Sequence, residues 1–296
     1  MLSSTQIQDL LVEAESALLN ALASVQGPGV VYSKSDARTE TMRLIQHISG
    51  VSATQQRAFP EKHLSDAQVM QLNHMLLRRM HGEPVAYILG EQGFYDSIFA
   101  VAPCTLIPRP ESEMLVDLAL QKITDISSPQ ILDLGTGTGA IGLSIAKAAP
   151  HSEVVCVDFV PDAVNLAKHN QQALKIANAE IFTSDWFNEI HQKFHVICSN
   201  PPYVEPGSPY LQKGDVRFEP QSALTSELNG LADIKLIIQS APQYLHFGGW
   251  LMLEHGFEQG IAIQALFSHA GFTDIQTLCD YAQQPRMTLG RMPYSK

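Results

Sequence analysis

The chain has 296 residues, enough for one large or two modest domains, and 45% of them are hydrophobic, a globular share. Its net charge of −11 argues against a surface built for naked nucleic acid, because phosphate contacts need a basic face, and would favour encounter with a basic protein partner. No apolar stretch approaches membrane-spanning length, and no basic residue precedes Lys34, so neither a membrane span nor a leader peptide is expected.

The first third carries only helical periodicity. Ile7, Leu11, Ala14, Leu18 and Leu22 form one stripe. Met42, Ile45 and Ile48 belong to a middle helix with Asp36 as its expected cap. Val69, Leu72, Met75, Leu76 and Met80 form a third stripe after a cap at Ser65. Residues 1–84 therefore read as a small helical domain, a candidate for substrate docking. The Gly27-Pro28-Gly29 segment reads as a local insertion. From Tyr87 to Leu106 the pattern turns β-like, with Phe94-Tyr95 and Ile98-Phe99-Ala100-Val101 set between glycines, so residues 85–108 read as a linking hairpin. Ile107-Pro108-Arg109-Pro110 then forms a stiff turn before a helix at about 111–122. Taken alone, Arg109 fits a surface charge as well as a pocket wall.

From residue 109 onward a third domain is expected, running to residue 296. Its β-α-β-α alternation predicts an α/β fold: a Rossmann-like, seven-stranded, mostly parallel sheet with helices on both faces. Strands are expected near 130–135, 153–158, 180–185, 195–200, 249–254, 273–279 and 286–291. The short Tyr281–Pro285 link suits a hairpin, so the sheet should end in an antiparallel pair. Cys156 and Cys198 sit inside apolar runs and read as core thiols. With Cys104 and Cys279 they form no Cys-x-x-Cys pair, which fits a reducing, cytoplasmic setting. His191 and His195 lack a third ligand partner and read as surface histidines, so no metal site is expected.

The first strand of this domain runs into Gly135-Thr136-Gly137-Thr138-Gly139 and then an apolar-periodic helix. Glycines permit positive φ and leave no Cβ between backbone and ligand, the general shape of a nucleotide-cofactor loop. The G-x-G-x-G spacing is neither the dinucleotide fingerprint nor a P-loop. Asp133 stands two residues before the first glycine, where a carboxylate would suit a cofactor with a cationic or amine-bearing end. Asp158 ends the next strand, in the place for an acid that accepts from ribose hydroxyls, although it could instead cap the helix near Pro161. Asp185-Trp186 ends the third strand and offers an adenine a carboxylate and an indole face; Trp186 alone fits a core residue as well.

The fourth strand stops abruptly at Asn200-Pro201-Pro202-Tyr203. The prolines fix their own φ and donate no backbone hydrogen bond, which holds Asn200 and Tyr203 in a nearly set relation. An amide oxygen and freed carbonyls that accept hydrogen bonds, beside an aromatic face, make a clamp for a planar group bearing NH2. A plain strand-ending turn is the alternative for such a short motif.

Taken together, Asp133–Gly139 and Asn200–Tyr203 resemble the class I S-adenosylmethionine-dependent methyltransferases that modify an amide or amino nitrogen. The segments Gly82–Gly90, Leu106–Glu111, Gly214–Pro220 and Leu253–Gly256, with Phe94, narrow the resemblance. They are similar to the peptide chain release factor glutamine methyltransferases of the HemK/PrmC type, over about residues 5–292. Ser112 departs from the expected Thr or Asp, and it touches neither the cofactor nor the substrate motif.

The resemblance implies methylation of the glutamine amide nitrogen in the Gly-Gly-Gln motif of class I release factors by a monomeric cytoplasmic enzyme. S-adenosylmethionine would be the donor and S-adenosylhomocysteine the product. It places the cofactor on Gly135, Thr136, Gly137, Thr138, Gly139, Asp158, Asp185, Trp186 and Asn200. The substrate falls on Asn200, Pro201, Pro202, Tyr203 and Arg109, with catalysis on the Asn200–Tyr203 turn. On this reading the Asn200 oxygen and the Pro201 carbonyl accept the amide hydrogens while Tyr203 stacks on the amide plane, so positioning carries the chemistry and no general base is required. Three rivals remain at this point. A nucleic-acid amino methyltransferase is disfavoured by the charge, and a nucleotide-dependent oxidoreductase or non-enzymatic binding domain by the loop spacing. A ribosomal-protein glutamine methyltransferase is disfavoured by the Gly-Glu-Pro and Ile-Pro-Arg-Pro segments.

Overall fold

The computed structural model describes residues 2–23 and 31–294, so the expected insertion at Gly27-Pro28-Gly29 lies outside the described residues. The chain divides into two compact units: Met1–Gly90 with Pro209–Phe218, and Glu91–Ser208 with Glu219–Lys296. No feature of the sequence marked 209–218 as part of the first unit.

The first unit packs α1 (Ile7–Leu22), α2 (Lys34–Ser49), α3 (Ala53–Ala58), α4 (Asp66–Met80) and α5 (Val85–Leu89). The apolar stripes face the core, with Ile7, Leu10, Leu18, Leu44, Ile45 and Leu72 fully enclosed and Ile48, Met75 and Met80 half-buried at its edge. Three helices start with the same device. Ser33, Ser52 and Ser65 accept from the N–H three residues on, and the side chains of Asp36, Gln55 and Gln68 reach back to the cap N–H. Asp36 is thus the third residue of a capping box rather than the cap itself, because Ser33 supplies the shorter side chain one turn earlier. Residues 85–89, expected within the β-like stretch, are helical, ending at Gly90 with φ +74°. Arg79 is buried and fully committed. It donates to Glu40, to Asp215 at 2.8 Å, and to the carbonyls of Gly82 and Glu83. Asp215 is how the 209–218 segment joins this unit.

The second unit opens with a hairpin of β1 (Glu91–Phe94) and β2 (Ser97–Ala100), narrower than the sequence pattern suggested. It continues with α6 (Glu113–Ile123), β3 (Gln130–Leu134), α7 (Ala140–Ala148), β4 (Glu153–Asp158), α8 (Pro161–Leu174), β5 (Ala179–Thr183) and β6 (Phe194–Ser199). It ends with α9 (Glu227–Gly230), α10 (Ala232–Ser240), β7 (Leu245–Glu254), α11 (Gly260–His269), β8 (Thr273–Cys279) and β9 (Pro285–Arg291). The seven-stranded sheet has the order β5-β4-β3-β6-β7-β9-β8. Its first five strands run parallel, and β9 is antiparallel to both β7 and β8, as expected from the short link.

Side-chain alternation splits the core into two layers. Ile131, Val154, Cys156, Val196 and Cys198 face α6, α7 and α8, while Leu132, Leu134, Val155, Val157 and Ile197 face α10 and α11. His195 is half-buried, not a surface residue. Its ring accepts from the Gln130 N–H at 3.1 Å and lies 4.4 Å from His246, and burial holds its pKa down. Among the described residues no helix is long and apolar enough to cross a membrane, and no group of three metal-ligating side chains forms.

Candidate active site

The adjacent parallel strands β3, β4 and β6 all deliver their C-terminal ends to one edge of the sheet. Their loops, with the 104–112 segment, line a single pocket of about 990 Å³ including its open mouth. Gly135, Thr136, Gly137 and Thr138 form one wall, and Asn200 and Pro202 lie in the same pocket. The Ser199 hydroxyl donates to the Leu134 carbonyl at 2.7 Å and ties the two strand ends together.

The glycine loop needs its residue types. Gly135, Gly137 and Gly139 sit at φ +69°, +56° and +84°, the left-handed region that L side chains rarely adopt. At Gly139 a Cβ would also approach Leu143 Cδ1 to 2.7 Å. The loop is braced from below by Asp133, whose Oδ2 accepts from the Thr136 hydroxyl at 2.6 Å and from the Gly142 N–H at 2.9 Å. Asp133 is fully buried, lies outside the pocket lining, and its Oδ1 has no hydrogen-bond partner among the described residues. Burial pushes its carboxyl up to about 7. The sequence-level idea that it faces a cationic ligand is therefore corrected: it braces the loop.

Asp158 does line the pocket. Its Oδ2 accepts from the Gly137 N–H at 2.8 Å and its Oδ1 from the Val160 N–H at 2.9 Å. The helix-capping alternative does not hold: Val160 is the residue at the cap of α8, no side chain caps that helix, and Asp158 accepts from the N–H of Val160 just ahead of it. Burial raises the pKa of Asp158 above its ordinary value, and those two N–H groups offset only part of the rise.

After β5 the chain turns at Trp186, whose φ is +49°. Ser184 and Trp186 line the pocket. Asp185 is exposed and lines a neighbouring cavity instead, because the turn carries its side chain away. Phe159, which no sequence argument singled out, lines the pocket while 70% exposed.

The Asn200–Tyr203 turn is held from behind. Pro201 is buried and Tyr203 half-buried, and neither lines the pocket. The Tyr203 carbonyl accepts from Gln259 Nε2 at 3.0 Å, and a Cβ on Gly230 would overlap that same carbonyl. The Tyr203 hydroxyl donates to Glu254 Oε1 at 3.3 Å. Ser112 donates to Glu254 Oε2 at 2.5 Å, and Asn200 Nδ2 donates to Ser112 Oγ at 3.1 Å. Ser112, set aside in the sequence as touching neither motif, is therefore in direct contact with Asn200 of the Asn200–Tyr203 turn. Glu254 is fully buried, and desolvation pushes its carboxyl up to about 7. Arg109 lines the pocket and donates to Glu219 Oε2 at 2.5 Å, while Glu219 Oε1 accepts from the Ile107 N–H at 3.1 Å.

The residues missed by sequence reasoning are thus Ser112, Phe159, Glu219 and Glu254. Glu219 and Glu254 lay inside the segments Gly214–Pro220 and Leu253–Gly256 without being given a role; Glu254 also carried a local signal, since like Asp158 it is an acid that closes a buried apolar strand.

The chain matches two family models, the PrmC N-terminal domain over residues 32–90 and the Methyltransferase small domain over residues 112–212. It is 46% identical over 255 residues to the release factor glutamine methyltransferase of Escherichia coli K12, covering 86% of this chain and 92% of that protein. To the protein of the same name from Vibrio cholerae it is 43% identical over 282 residues, covering 95% and 97%. Among solved structures, a methyltransferase from Pyrococcus furiosus aligns with a TM-score of 0.51 at 16% identity, covering 75% of this chain and 99% of that one. The hMettl16 catalytic domain aligns with a TM-score of 0.55 at 15% identity, covering 78% and 84%. Those two likenesses carry the fold alone. With near-full-length relatives at 43–46% identity, the chain belongs to the release factor glutamine methyltransferase family and is a methyltransferase.

Proposed function

We propose that this chain transfers a methyl group from S-adenosylmethionine to the side-chain amide nitrogen of the glutamine in the Gly-Gly-Gln motif of class I peptide chain release factors. The observation that carries the reading is the shared pocket: the glycine loop and Asn200 line one cavity. The lining suits this cofactor. A glycine cradle without Cβ atoms, the acid Asp158 and the aromatic faces of Phe159 and Trp186 match a backbone-hugging chain, a ribose and a purine. Gly135, Thr136, Gly137, Thr138, Asp158 and Trp186, which line the pocket, would hold it, with Gly139 turning the loop into α7 and Asp185, in the neighbouring cavity, taking no part.

When bound, this donor presents a methyl carbon on a sulfonium; attack by the amide nitrogen returns the C–S electron pair to sulfur, leaves S-adenosylhomocysteine, and releases one nitrogen proton to water. The protein's part is placement. A carboxamide nitrogen is a weak nucleophile, its lone pair being delocalised into the carbonyl. The Asn200 Oδ1, in the pocket lining, accepts one of its hydrogens, which fixes the nitrogen and stabilises the positive charge it gains; the Pro201 carbonyl, behind the lining, would take the other as the amide seats. Pro201 and Pro202 hold that turn stiff, Tyr203, behind the lining and tied to Glu254, braces it in place of the expected stacking on the amide, and Arg109 lines the pocket.

The reading includes a monomer that acts in the cytoplasm on a protein rather than on nucleic acid, and the net charge of −11 supports that choice of substrate. Substrate docking falls to the helical unit. The test is to incubate the chain with labelled S-adenosylmethionine and a purified class I release factor, then map the label. Methyl on the Gly-Gly-Gln glutamine is the expected result; label elsewhere, or only on nucleic acid, overturns the reading.

A further inference from the structure

We propose that Ser112 and Glu254 are positioning residues that set which way the Asn200 amide faces, turning its oxygen toward the substrate. The proposal rests on the reading of Asn200 as the acceptor for the substrate amide.

The two ends of an Asn side chain have nearly the same shape, so packing alone hardly distinguishes oxygen out from NH2 out; only its hydrogen-bond partners choose. Among the described residues the Asn200 side chain has one such partner, Ser112 Oγ, at 3.1 Å from Nδ2. A serine hydroxyl by itself is no selector, since it accepts from NH2 as readily as it donates to an amide oxygen. Glu254 removes that ambiguity. Ionised, it only accepts, so the single Ser112 proton goes to Oε2 at 2.5 Å. What Ser112 then shows Asn200 is lone pairs, and these can be met only by the amide NH2. Oδ1 is left facing away from Ser112, with no hydrogen bond among the described residues. A reversed Asn200 would present NH2 to a substrate NH2, donor against donor, and could not clamp it.

Glu254 is sealed, so its hydrogen-bond partners are fixed. Its other oxygen accepts from Tyr203 at 3.3 Å, which places both halves of the Asn200–Tyr203 turn on one carboxyl. The groups that face it are the hydroxyls of Ser112 and Tyr203, Arg286 on β9, which favours the ionised form, and Glu111 beside Ser112, which opposes it. Desolvation outweighs the rest and sets its midpoint near 7. Protonated, the carboxyl can donate to Ser112 and free the serine proton for the wrong end of Asn200. Turnover should therefore rise with pH through neutrality.

The experiment measures methyl transfer to a purified class I release factor by wild type, Ser112→Ala, Glu254→Gln and Asn200→Ala. Turnover is followed from about pH 6 to about pH 8.5, alongside S-adenosylhomocysteine affinity and melting temperature. Ser112→Ala should lose about tenfold to a hundredfold in kcat, with KM and S-adenosylhomocysteine affinity within about twofold, and its kcat should no longer rise with pH. Glu254→Gln should likewise lose the pH dependence. The proposal is overturned by a Ser112→Ala enzyme with wild-type kcat, by one that keeps the wild-type pH profile, or by one whose cofactor affinity and melting temperature fall along with its turnover. Asn200→Ala separates the two levels. If it stays active, the underlying reading fails; if it is dead while Ser112→Ala is normal, only the orientation relay fails.

Discussion

Asp133 and Glu254 are both carboxyls sealed in one sheet, and burial pushes both up to about 7, yet they brace different kinds of partner. Asp133 reaches along the face of β3 to a backbone N–H and a neighbouring threonine, within nine residues of itself. Glu254 ends β7 and takes two hydroxyls, from Ser112 and Tyr203, which stand 142 and 51 residues away in the chain. Asp133 gathers an N–H, whose proton cannot move, and a hydroxyl of the loop itself, both on one oxygen, and so fixes the course of that loop. A carboxyl bound to hydroxyls decides where protons point, and so acts on orientation. The glycine-loop side of the pocket is braced for shape and the Asn200 side for hydrogen-bond direction, the sides that the proposed function gives to cofactor and substrate.

That contrast can be broken at four places. Asn200→Ala should remove the acceptor itself, with kcat falling about 10²–10³-fold and S-adenosylhomocysteine affinity nearly kept, as for loss of one preorganised transition-state contact. Labelled-methyl turnover near the wild-type rate would place the chemistry elsewhere. Asp133→Ala should act on shape. It strands the Thr136 hydroxyl and the Gly142 N–H, at a cost of about 2–4 kcal/mol of folding stability readable by denaturant titration. A variant as stable as wild type would remove Asp133 from the brace. Asp158→Ala should weaken S-adenosylhomocysteine binding about 10–100-fold by calorimetry, the range for lost hydrogen bonds to a charged group. An unchanged dissociation constant would deny it contact with the cofactor.

The fourth effect is the stability profile with pH. Both buried carboxyls have folded pKa values above their ordinary ones, so the native state binds more protons than the unfolded chain between about pH 4 and about pH 7. The stability they contribute is full below that window and is lost as pH rises through about 7. Glu254→Gln should flatten this fall by about 1–3 kcal/mol relative to wild type, since each tenfold difference in proton affinity between the folded and unfolded chain is worth about 1.4 kcal/mol. Parallel stability curves for the two proteins would show that Glu254 does not titrate in the window.

How legible each part was in the sequence follows from how far its partners lie along the chain. The seven strands, the apolar helix stripes, the glycine loop and the Asn200–Tyr203 turn are local patterns of burial and backbone freedom, and all of them were readable. The expected cap at Asp36 missed only by the choice of serine three residues earlier. Asp133 was placed by proximity to the glycines, whereas strand alternation turns its side chain the same way as Cys156 and Cys198, under Gly142. Asp185 was lost to the turn at Trp186, a positive φ that no residue type announced. Ser112, Glu219 and Glu254 owe their roles to partners 51 to 142 residues away, brought together only when the chain folds.

The most direct test of the central claim, that Asn200 presents a substrate glutamine amide to the methyl donor beside the glycine loop, is single-turnover methyl transfer to a class I release factor at saturating cofactor, comparing wild type with Asn200→Ala and mapping the product by mass. Wild type should place one methyl on the Gly-Gly-Gln glutamine, and the variant should bind cofactor yet leave that glutamine unmodified. A variant that methylates the same glutamine at the wild-type rate would contradict the claim.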